Sequence, residues 1–195
     1  MHSPASDTGK KGAICVFCGS SMGRDPVYAE AARQTGALIA RDGFNLVFGA
    51  GSLGLMGEVS AAARVGSAHV IGILPDFLRH LEPPSRTTEE LEIVPGLFER
   101  KARMMALSDA FIILPGGLGT MDEFFEVVTS AQLGVSPKPV AVVNTKEIYT
   151  PLRTFLDHLD AEGFVPHRAS PLYRFVETPE EAMGFIREAL VAAKT

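Results

Sequence analysis

The turn Pro115-Gly116-Gly117-Leu118-Gly119-Thr120 has the residue types needed to hold an anion. Where such a turn opens a helix, free backbone N–H groups and the positive end of the helix dipole converge. The glycines let the main chain approach a phosphate closely, and the Thr120 hydroxyl adds a donor. A plain strand-to-helix turn with Thr120 as N-cap would use the same residues, so the spacing alone leaves both interpretations open.

Acidic residues follow this turn in the first turns of the next helix, at Asp122, Glu123 and Glu126. Acids in this position help the helix dipole, which is sufficient reason for any one of them. Glu123 is distinctive because it stands a few residues beyond the glycine turn. A carboxylate beside a bound sugar phosphate can stabilise positive charge on the sugar or orient a water.

Basic residues open an earlier helix, at Arg100, Lys101 and Arg103, next to Glu99. Cations near a helix start are unfavourable to its dipole, so they call for another explanation. Arg100 and Arg103 lie three residues apart and therefore share a face. An arginine directed at a phosphate or a purine would explain this placement, and a solvated face with Glu99 as partner is the alternative.

Two further turns contain glycine and small polar residues. Gly49–Gly54 matches G-x-G-x-x-G, the dinucleotide fingerprint, and Asp76 lies about 20 residues on, where the fingerprint requires an acid for the ribose. A nicotinamide-dependent protein is therefore one alternative, although the fingerprint normally follows the first strand and here follows the second. The third turn is Cys18-Gly19-Ser20-Ser21, whose serines could donate to a phosphate or a base or simply cap the turn.

Apolar runs without alternation, separated by amphipathic segments, predict the elements that position these turns. We expect strands at 13–17, 44–48, 68–74, 110–114, 140–143 and 173–176, and helices at 26–42, 55–65, 97–107, 121–133, 149–162 and 179–192. Pro75 to Pro95 is expected to be irregular. The pattern predicts a single-domain, Rossmann-like α/β fold, a doubly wound parallel sheet sandwiched between helices. All three glycine-rich turns then lie at the carboxyl ends of strands, where such folds bind ligands.

Composition and charge exclude several classes of protein. The chain has 195 residues, 46% hydrophobic, with a net charge of −5, which argues against a general nucleic-acid binder. Cys15 and Cys18 form a C-x-x-C spacing, but strand residues three apart point to opposite faces, so we expect buried reduced thiols and no metal. Residues 1–12 are expected to be a disordered tail, and no export or membrane segment is recognisable, which favours a cytoplasmic location.

Several motifs that occur in one order resemble the "lonely guy" family of cytokinin riboside 5′-monophosphate phosphoribohydrolases, over about Ile14 to Glu188. The motifs are Cys18-Gly19-Ser20-Ser21, Gly49–Gly57, Glu99-Arg100-Lys101, Ser108-Asp109-Ala110-Phe111, Pro115–Glu123 and Gln132-Leu133-Gly134. This resemblance implies hydrolysis of the N-glycosidic bond of purine riboside 5′-monophosphates, N6-modified (cytokinin-type) ones and AMP, to free base and ribose 5-phosphate. It also implies no metal or organic cofactor and a homodimer with the site near the subunit boundary.

By the same resemblance, Arg100 and Glu123 are the catalytic pair, and Gly117, Gly119 and Thr120 hold the phosphate. The further substrate-binding positions that it implies are Glu82, Lys101, Gly116, Leu118, Met121, Asp122, Thr129, Ser20 and Gly51. A former label of the family is lysine decarboxylase, but no lysine stands in an evident pyridoxal-phosphate setting. A non-catalytic nucleotide or molybdenum-cofactor-type carrier on the same fold is the other alternative.

The sequence departs from the family's usual pattern in three places. Gly49-Ala50-Gly51 replaces a triple glycine, Ser130 replaces a common tryptophan after Thr129, and Pro83-Pro84 lie beside Glu82. These differences leave the preferred base open between plain adenine and an N6-prenylated one.

Overall fold

The computed structural model describes residues 12–80, 85–165 and 173–193. Within these ranges the strands are β1 Ala13–Phe17, β2 Asn45–Phe48, β3 Val70–Pro75, β4 Glu90–Val94, β5 Ala110–Ile113, β6 Val140–Val143 and β7 Arg174–Val176. The helices are α1 Val27–Arg41, α2 Gly54–Val65, α3 Leu97–Leu107, α4 Leu118–Gln132, α5 Thr150–Ala161 and α6 Pro179–Ala192. Short 3-10 turns lie at Asp76–Leu78 and Thr145–Glu147. The expected tail, apart from Gly12, lies outside the described residues, as do Glu82, Pro83 and Pro84.

The seven strands among the described residues form one parallel sheet in the order β4-β3-β2-β1-β5-β6-β7. Strands β2, β3 and β4 lie in succession on one side of β1, and strands β5, β6 and β7 lie in succession on its other side. This arrangement is a doubly wound sheet, and the predicted fold class is confirmed. The order reverses between β1 and β5, and a crevice opens at the carboxyl ends of strands at such a point.

Both faces of the sheet are buried against helices, which explains why the strands read as continuous apolar runs. One core cluster joins Val16, Cys18, Leu46 and Ile112 to α1, α2 and α6. The other cluster joins Cys15, Phe17, Val47 and Phe111 to α3, α4 and α5. Cys15 and Cys18 are free, buried and in different clusters, so the expectation of reduced thiols on opposite faces is confirmed.

Most predicted elements begin and end within two residues of those observed, but two predictions were wrong. The stretch from Pro75 to Pro95 contains β4, an edge strand in which only Val94 is buried, so its sequence Glu90-Leu91-Glu92-Ile93 is not a continuous apolar run. Helix α4 begins at Leu118 and not at Met121, so Thr120 belongs to the first helical turn and Gly117 is the N-cap. Thr178 caps α6 by accepting a hydrogen bond of 3.2 Å from the Glu181 backbone N–H.

Two helical glycines give a matched test of the packing between α1 and α2. A Cβ atom at Gly36 in α1 would lie 2.2 Å from the Val59 carbonyl oxygen, whereas a Cβ at Gly184 in α6 would meet nothing within 4 Å. Gly36→Ala should lower the free energy of unfolding by about 1–3 kcal/mol because α2 must move away. Gly184→Ala should raise it by about 0.5–1 kcal/mol because alanine favours the helix. Urea denaturation measures both, and a gain in stability for Gly36→Ala would contradict this packing.

Candidate functional site

The three glycine-rich turns meet at the carboxyl edge of the sheet. The Gly19 N–H donates to the Pro115 carbonyl at 3.0 Å, and the Leu55 N–H donates to the Gly19 carbonyl at 3.0 Å. A Cβ at Gly116 would lie 2.9 Å from the Gly19 nitrogen, and a Cβ at Gly54 would lie 2.2 Å from the Ser20 carbonyl carbon. Glycine is required at both positions because the turns are in backbone contact.

A cavity of about 210 Å³ opens beside this junction. Seven of the residues expected at the site line it, namely Ser20, Arg100, Gly117, Leu118, Gly119, Thr120 and Glu123. The remaining lining comes from the ends of β1 and β2 and from α2, through Val16, Phe17, Cys18, Gly19, Gly49 and Met56. Arg100 of α3 and Glu123 of α4 therefore face the same cavity.

The start of α4 forms one wall of the cavity. Gly117 is the N-cap, and no side chain caps the helix. A Cβ at Gly117 or Gly119 would meet nothing within 4 Å, so the backbone at both positions borders open space. Thr120 is buried, and a Cβ at Gly116 would lie 2.1 Å from its Oγ1 atom. Uncapped N–H groups at the positive end of a helix dipole make this wall a place for an anion.

Arg100 lies in the first turn of α3, lines the cavity and is fixed by a hydrogen bond to the turn after β2. One terminal nitrogen, Nη2, donates to the Gly49 carbonyl at 2.8 Å. Its Nε atom is buried and has no hydrogen-bond partner within the described part of the chain. A Cβ at Gly49 would lie 1.9 Å from Nη2, so glycine is required there to seat the guanidinium.

This role of Gly49 was not predicted from the sequence, in which Gly49 is part of the dinucleotide fingerprint and of the Gly49–Gly57 family motif. The available signal was its position directly after β2, at the edge where the other turns meet. Asp76, the acid that the fingerprint needs, forms a half-exposed ion pair with Arg79 at 3.3 Å and is not among the residues lining the cavity. The structure therefore removes the observation on which the nicotinamide alternative depended.

Glu123 lies one and a half turns into α4 and lines the cavity with Arg100. Cys15 in β1 and Cys18 directly after it are both influenced by these two charges. Burial raises the pKa of the Cys15 and Cys18 thiols, the Glu123 carboxylate raises it further, and the Arg100 guanidinium opposes that rise. A carboxylate, a guanidinium and an anion site thus share one small, partly buried space.

Lys101 is adjacent to Arg100 in sequence but does not line the cavity. It is buried, and its Nζ contacts Asp122 Oδ2 at 2.9 Å and Glu126 Oε2 at 3.0 Å. Burial alone would lower the pKa of Lys101, but the hydrogen bonds to Asp122 and Glu126 outweigh it and raise the pKa. The ammonium therefore joins α3 to α4 through two carboxylates.

The other expected site residues that the structure describes do not line this cavity. Gly51, Met121, Asp122 and Thr129 are absent from its walls. Gly116 borders an adjacent, mostly apolar cavity of about 270 Å³ that shares Gly19, Ser20 and Gly117 with the first. Glu82 lies outside the described residues. Arg103 pairs with Glu92 of β4 at 2.7 Å and is also absent from the cavity.

No group of three or more His, Cys, Asp or Glu side chains suited to a metal ion occurs among residues 12–80, 85–165 and 173–193. Of the lysines that the structure describes, Lys138 donates to the Met105 carbonyl and Lys146 pairs with Asp25. Neither of these two lines the cavity, so no described lysine is placed there to bind pyridoxal phosphate.

None of the helices in the described ranges is long and apolar enough to cross a bilayer.

Comparison with known proteins gives a matching family model and several similar proteins. Residues 56–186 match the family model described as "Possible lysine decarboxylase". A cytokinin riboside 5′-monophosphate phosphoribohydrolase of Arabidopsis thaliana is 47% identical over 175 residues, which cover 90% of this chain and 79% of that protein. A probable enzyme of the same description from Oryza sativa subsp. japonica is 42% identical over 90% of this chain and 72% of that protein.

Among solved structures, the molybdenum cofactor carrier protein from Chlamydomonas reinhardtii superposes with a TM-score of 0.73. The superposition covers 93% of this chain and 99% of that chain, at 21% sequence identity. At this identity the likeness concerns the fold alone.

The buried thiols of Cys15 and Cys18 give a test of the environment beside the cavity. Because burial and Glu123 hold both thiols protonated, Ellman's reagent at about pH 8 should react with the folded protein at least roughly 100-fold more slowly than with the denatured protein. The free energy of unfolding should also fall as pH rises past about 8.5, because only the unfolded chain then loses thiol protons. Absorbance at 412 nm follows the reaction, and rapid labelling of the folded protein would contradict this environment.

Proposed function

Because this chain belongs to the family of cytokinin riboside 5′-monophosphate phosphoribohydrolases, we propose that it hydrolyses the N-glycosidic bond of purine riboside 5′-monophosphates. The substrates are N6-modified adenosine monophosphates and AMP, and the products are the free base and ribose 5-phosphate. The observation that carries this proposal is that the uncapped start of α4, Arg100 and Glu123 line one cavity. The former decarboxylase label has no support in the chemistry of this cavity.

The phosphate has one suitable place in this cavity, at the backbone N–H groups of Gly117, Leu118 and Gly119 and the hydroxyl of Thr120. Glu123 lies about one helical turn further along α4, which is about 5 Å and close to the length of a ribose ring with its C5′ carbon. A nucleotide bound through its phosphate therefore presents its ribose to the Glu123 carboxylate.

Cleavage proceeds through an oxocarbenium-like sugar, as in other glycoside hydrolyses. The bond from C1′ to the purine nitrogen breaks, and its electron pair leaves with the base. Glu123 stabilises the positive charge on the sugar and orients the water that adds to C1′. That water loses a proton, and the departing base gains one, so only water is consumed and no metal or cofactor is needed.

Arg100 supplies the compensating positive charge. Its guanidinium is fixed by the Gly49 carbonyl, so it does not need to be ordered when substrate binds. From this seat it acts on negative charge, either that of the phosphate or that growing on the purine as it leaves. A carrier of an intact cofactor, the alternative on this fold, has no use for a carboxylate and an arginine paired in this way.

An apolar surface next to the cavity supports a homodimer. Phe98 of α3 is 80% exposed, Leu118 at the start of α4 is 90% exposed, and Leu133 and Val135 after α4 are 70% and 77% exposed. A second copy of the chain that covers these side chains would lie at the mouth of the cavity, because Leu118 also lines it. The two reduced thiols also fit a cytoplasmic location.

The activity test uses AMP, N6-isopentenyl-AMP, adenosine and NAD. The wild-type protein should release free base from the two monophosphates, detected by chromatography. Adenosine should be a poor substrate because it lacks the anion that α4 holds. NAD should be left intact. Tight nucleotide binding with no release of base would favour the carrier alternative.

Glu123→Gln should lower kcat by at least about 100-fold, because the amide cannot balance positive charge on the sugar. The dissociation constant for AMP, measured by calorimetry, should stay within about threefold of the wild-type value because the phosphate site is intact. Glu58→Gln is the matched control, since Glu58 pairs with Arg33 on the surface of α2, and it should keep normal turnover. Near-normal turnover by Glu123→Gln would refute its catalytic role.

The dimer is tested by sedimentation velocity. The wild-type protein should sediment at about twice the chain mass of 20.8 kDa. Phe98→Glu, which replaces an exposed aromatic side chain of α3 by a charge, should shift the distribution toward the monomer. A monomeric wild-type protein at micromolar concentration would contradict the proposed dimer.

A further inference from the structure

The Lys101 ammonium lies in a contact between α3 and α4 that is separate from the cavity. Only 9% of its side chain is exposed, and its Nζ lies 3.1 Å from Asp122 Oδ1, 2.9 Å from Asp122 Oδ2 and 3.0 Å from Glu126 Oε2. Asp122 and Glu126 are four residues apart and share one face of α4. Two carboxylates from consecutive turns of one helix therefore hold a single cation from the other.

The sequence positions of these three residues connect the contact to the proposed catalytic pair. Lys101 follows Arg100 directly in α3, and Asp122 precedes Glu123 directly in α4. A shift or rotation of either helix that breaks the Lys101 contact must also move its neighbour. The ion pair thus sets the distance between the guanidinium and the carboxylate across the cavity.

A buried cation without its partners is costly, so the contact is hard to open. Asp122 and Glu126 are 60% and 44% exposed, so the burial cost falls on the lysine, and removing both carboxylates leaves its charge uncompensated. The pair between Arg103 and Glu92 is different, because the Arg103 side chain is 41% exposed where that of Lys101 is 9% exposed, and because it joins α3 to the edge strand and not to α4. Ion pairs of that exposed kind contribute little.

From these contacts we propose that Lys101 is a positioning residue, which fixes α3 against α4 so that Arg100 and Glu123 face the same ribose, and that it does not bind the substrate phosphate. The inference rests on the proposed function. It differs from the substrate-binding role that the family resemblance implies for this position. Its consequence is that Asp122 and Glu126 belong to the same positioning unit.

The test compares Lys101→Met, Lys101→Arg and the double variant Asp122→Asn/Glu126→Gln in hydrolysis of AMP. Lys101→Met should lower kcat by at least about tenfold and leave KM within about threefold, the pattern for a lost transition-state interaction. The double variant should lose kcat to a similar extent. Adding Lys101→Met to it should cost less than about twofold more, because the partners act as a unit. Lys101→Arg should recover most of the loss, since a guanidinium can pair with both carboxylates.

Arg103→Met is the matched control on the same helix and should keep kcat within about twofold. The unfolding midpoint of each variant separates a loss of folded protein from a loss of turnover. If Lys101→Met does not fold, the variant Asp122→Asn/Glu126→Gln decides the question, because a phosphate-binding Lys101 freed from its carboxylates would keep or improve KM and kcat.

Binding of ribose 5-phosphate, measured by calorimetry, supplies a readout that needs no turnover. Lys101→Met should change its dissociation constant by less than about threefold if Lys101 has only a positioning role. A loss of affinity of tenfold or more, or additive effects of Lys101→Met and the double variant, would overturn the inference. A wild-type protein that cleaves no monophosphate would refute the proposed function, while this binding measurement would still decide the role of Lys101.

Discussion

The start of α4 borders the cavity, and the rest of the site is arranged around its backbone N–H groups. They follow β5 after only four residues, Leu114 to Gly117, so the helix begins at the carboxyl edge of the sheet. No side chain caps this helix start. Because its dipole and its uncapped donors favour an anion, the proposed function places the phosphate of the nucleotide at this point and its ribose beside the neighbouring side chains.

Close packing of the backbone brings the other groups to this point. Gly116 and Gly54 allow the three turns to touch, and Gly49 leaves room for the Arg100 guanidinium and accepts its hydrogen bond. Ala50 shows that the same packing imposes strain, since it is fully buried with a φ of 64°, in the left-handed region that disfavours alanine. Its carbonyl accepts a hydrogen bond from the Ser85 N–H at 2.8 Å, which ties the segment before β4 to the turn after β2.

Much of this architecture could be predicted from the sequence, because strands buried on both faces are continuous apolar runs and the glycine turns follow them directly. Strand β4 was missed because it lies at the edge of the sheet, where only Val94 is buried, and so it has no continuous apolar run. The seating of Arg100 on Gly49 could not be predicted, since 51 residues separate the two partners in the chain. For the same reason, the spacing of Lys101, Asp122 and Glu126 did not reveal that they form one contact between helices around a buried lysine.

The most direct test of this binding mode is a crystal structure of the Glu123→Gln variant with AMP bound. We expect the 5′-phosphate within about 3 Å of the backbone nitrogens of residues 117–120. C1′ should face the side chain of residue 123, and the Arg100 guanidinium should still donate to the Gly49 carbonyl. A phosphate bound elsewhere, or a ribose turned away from residue 123, would contradict it.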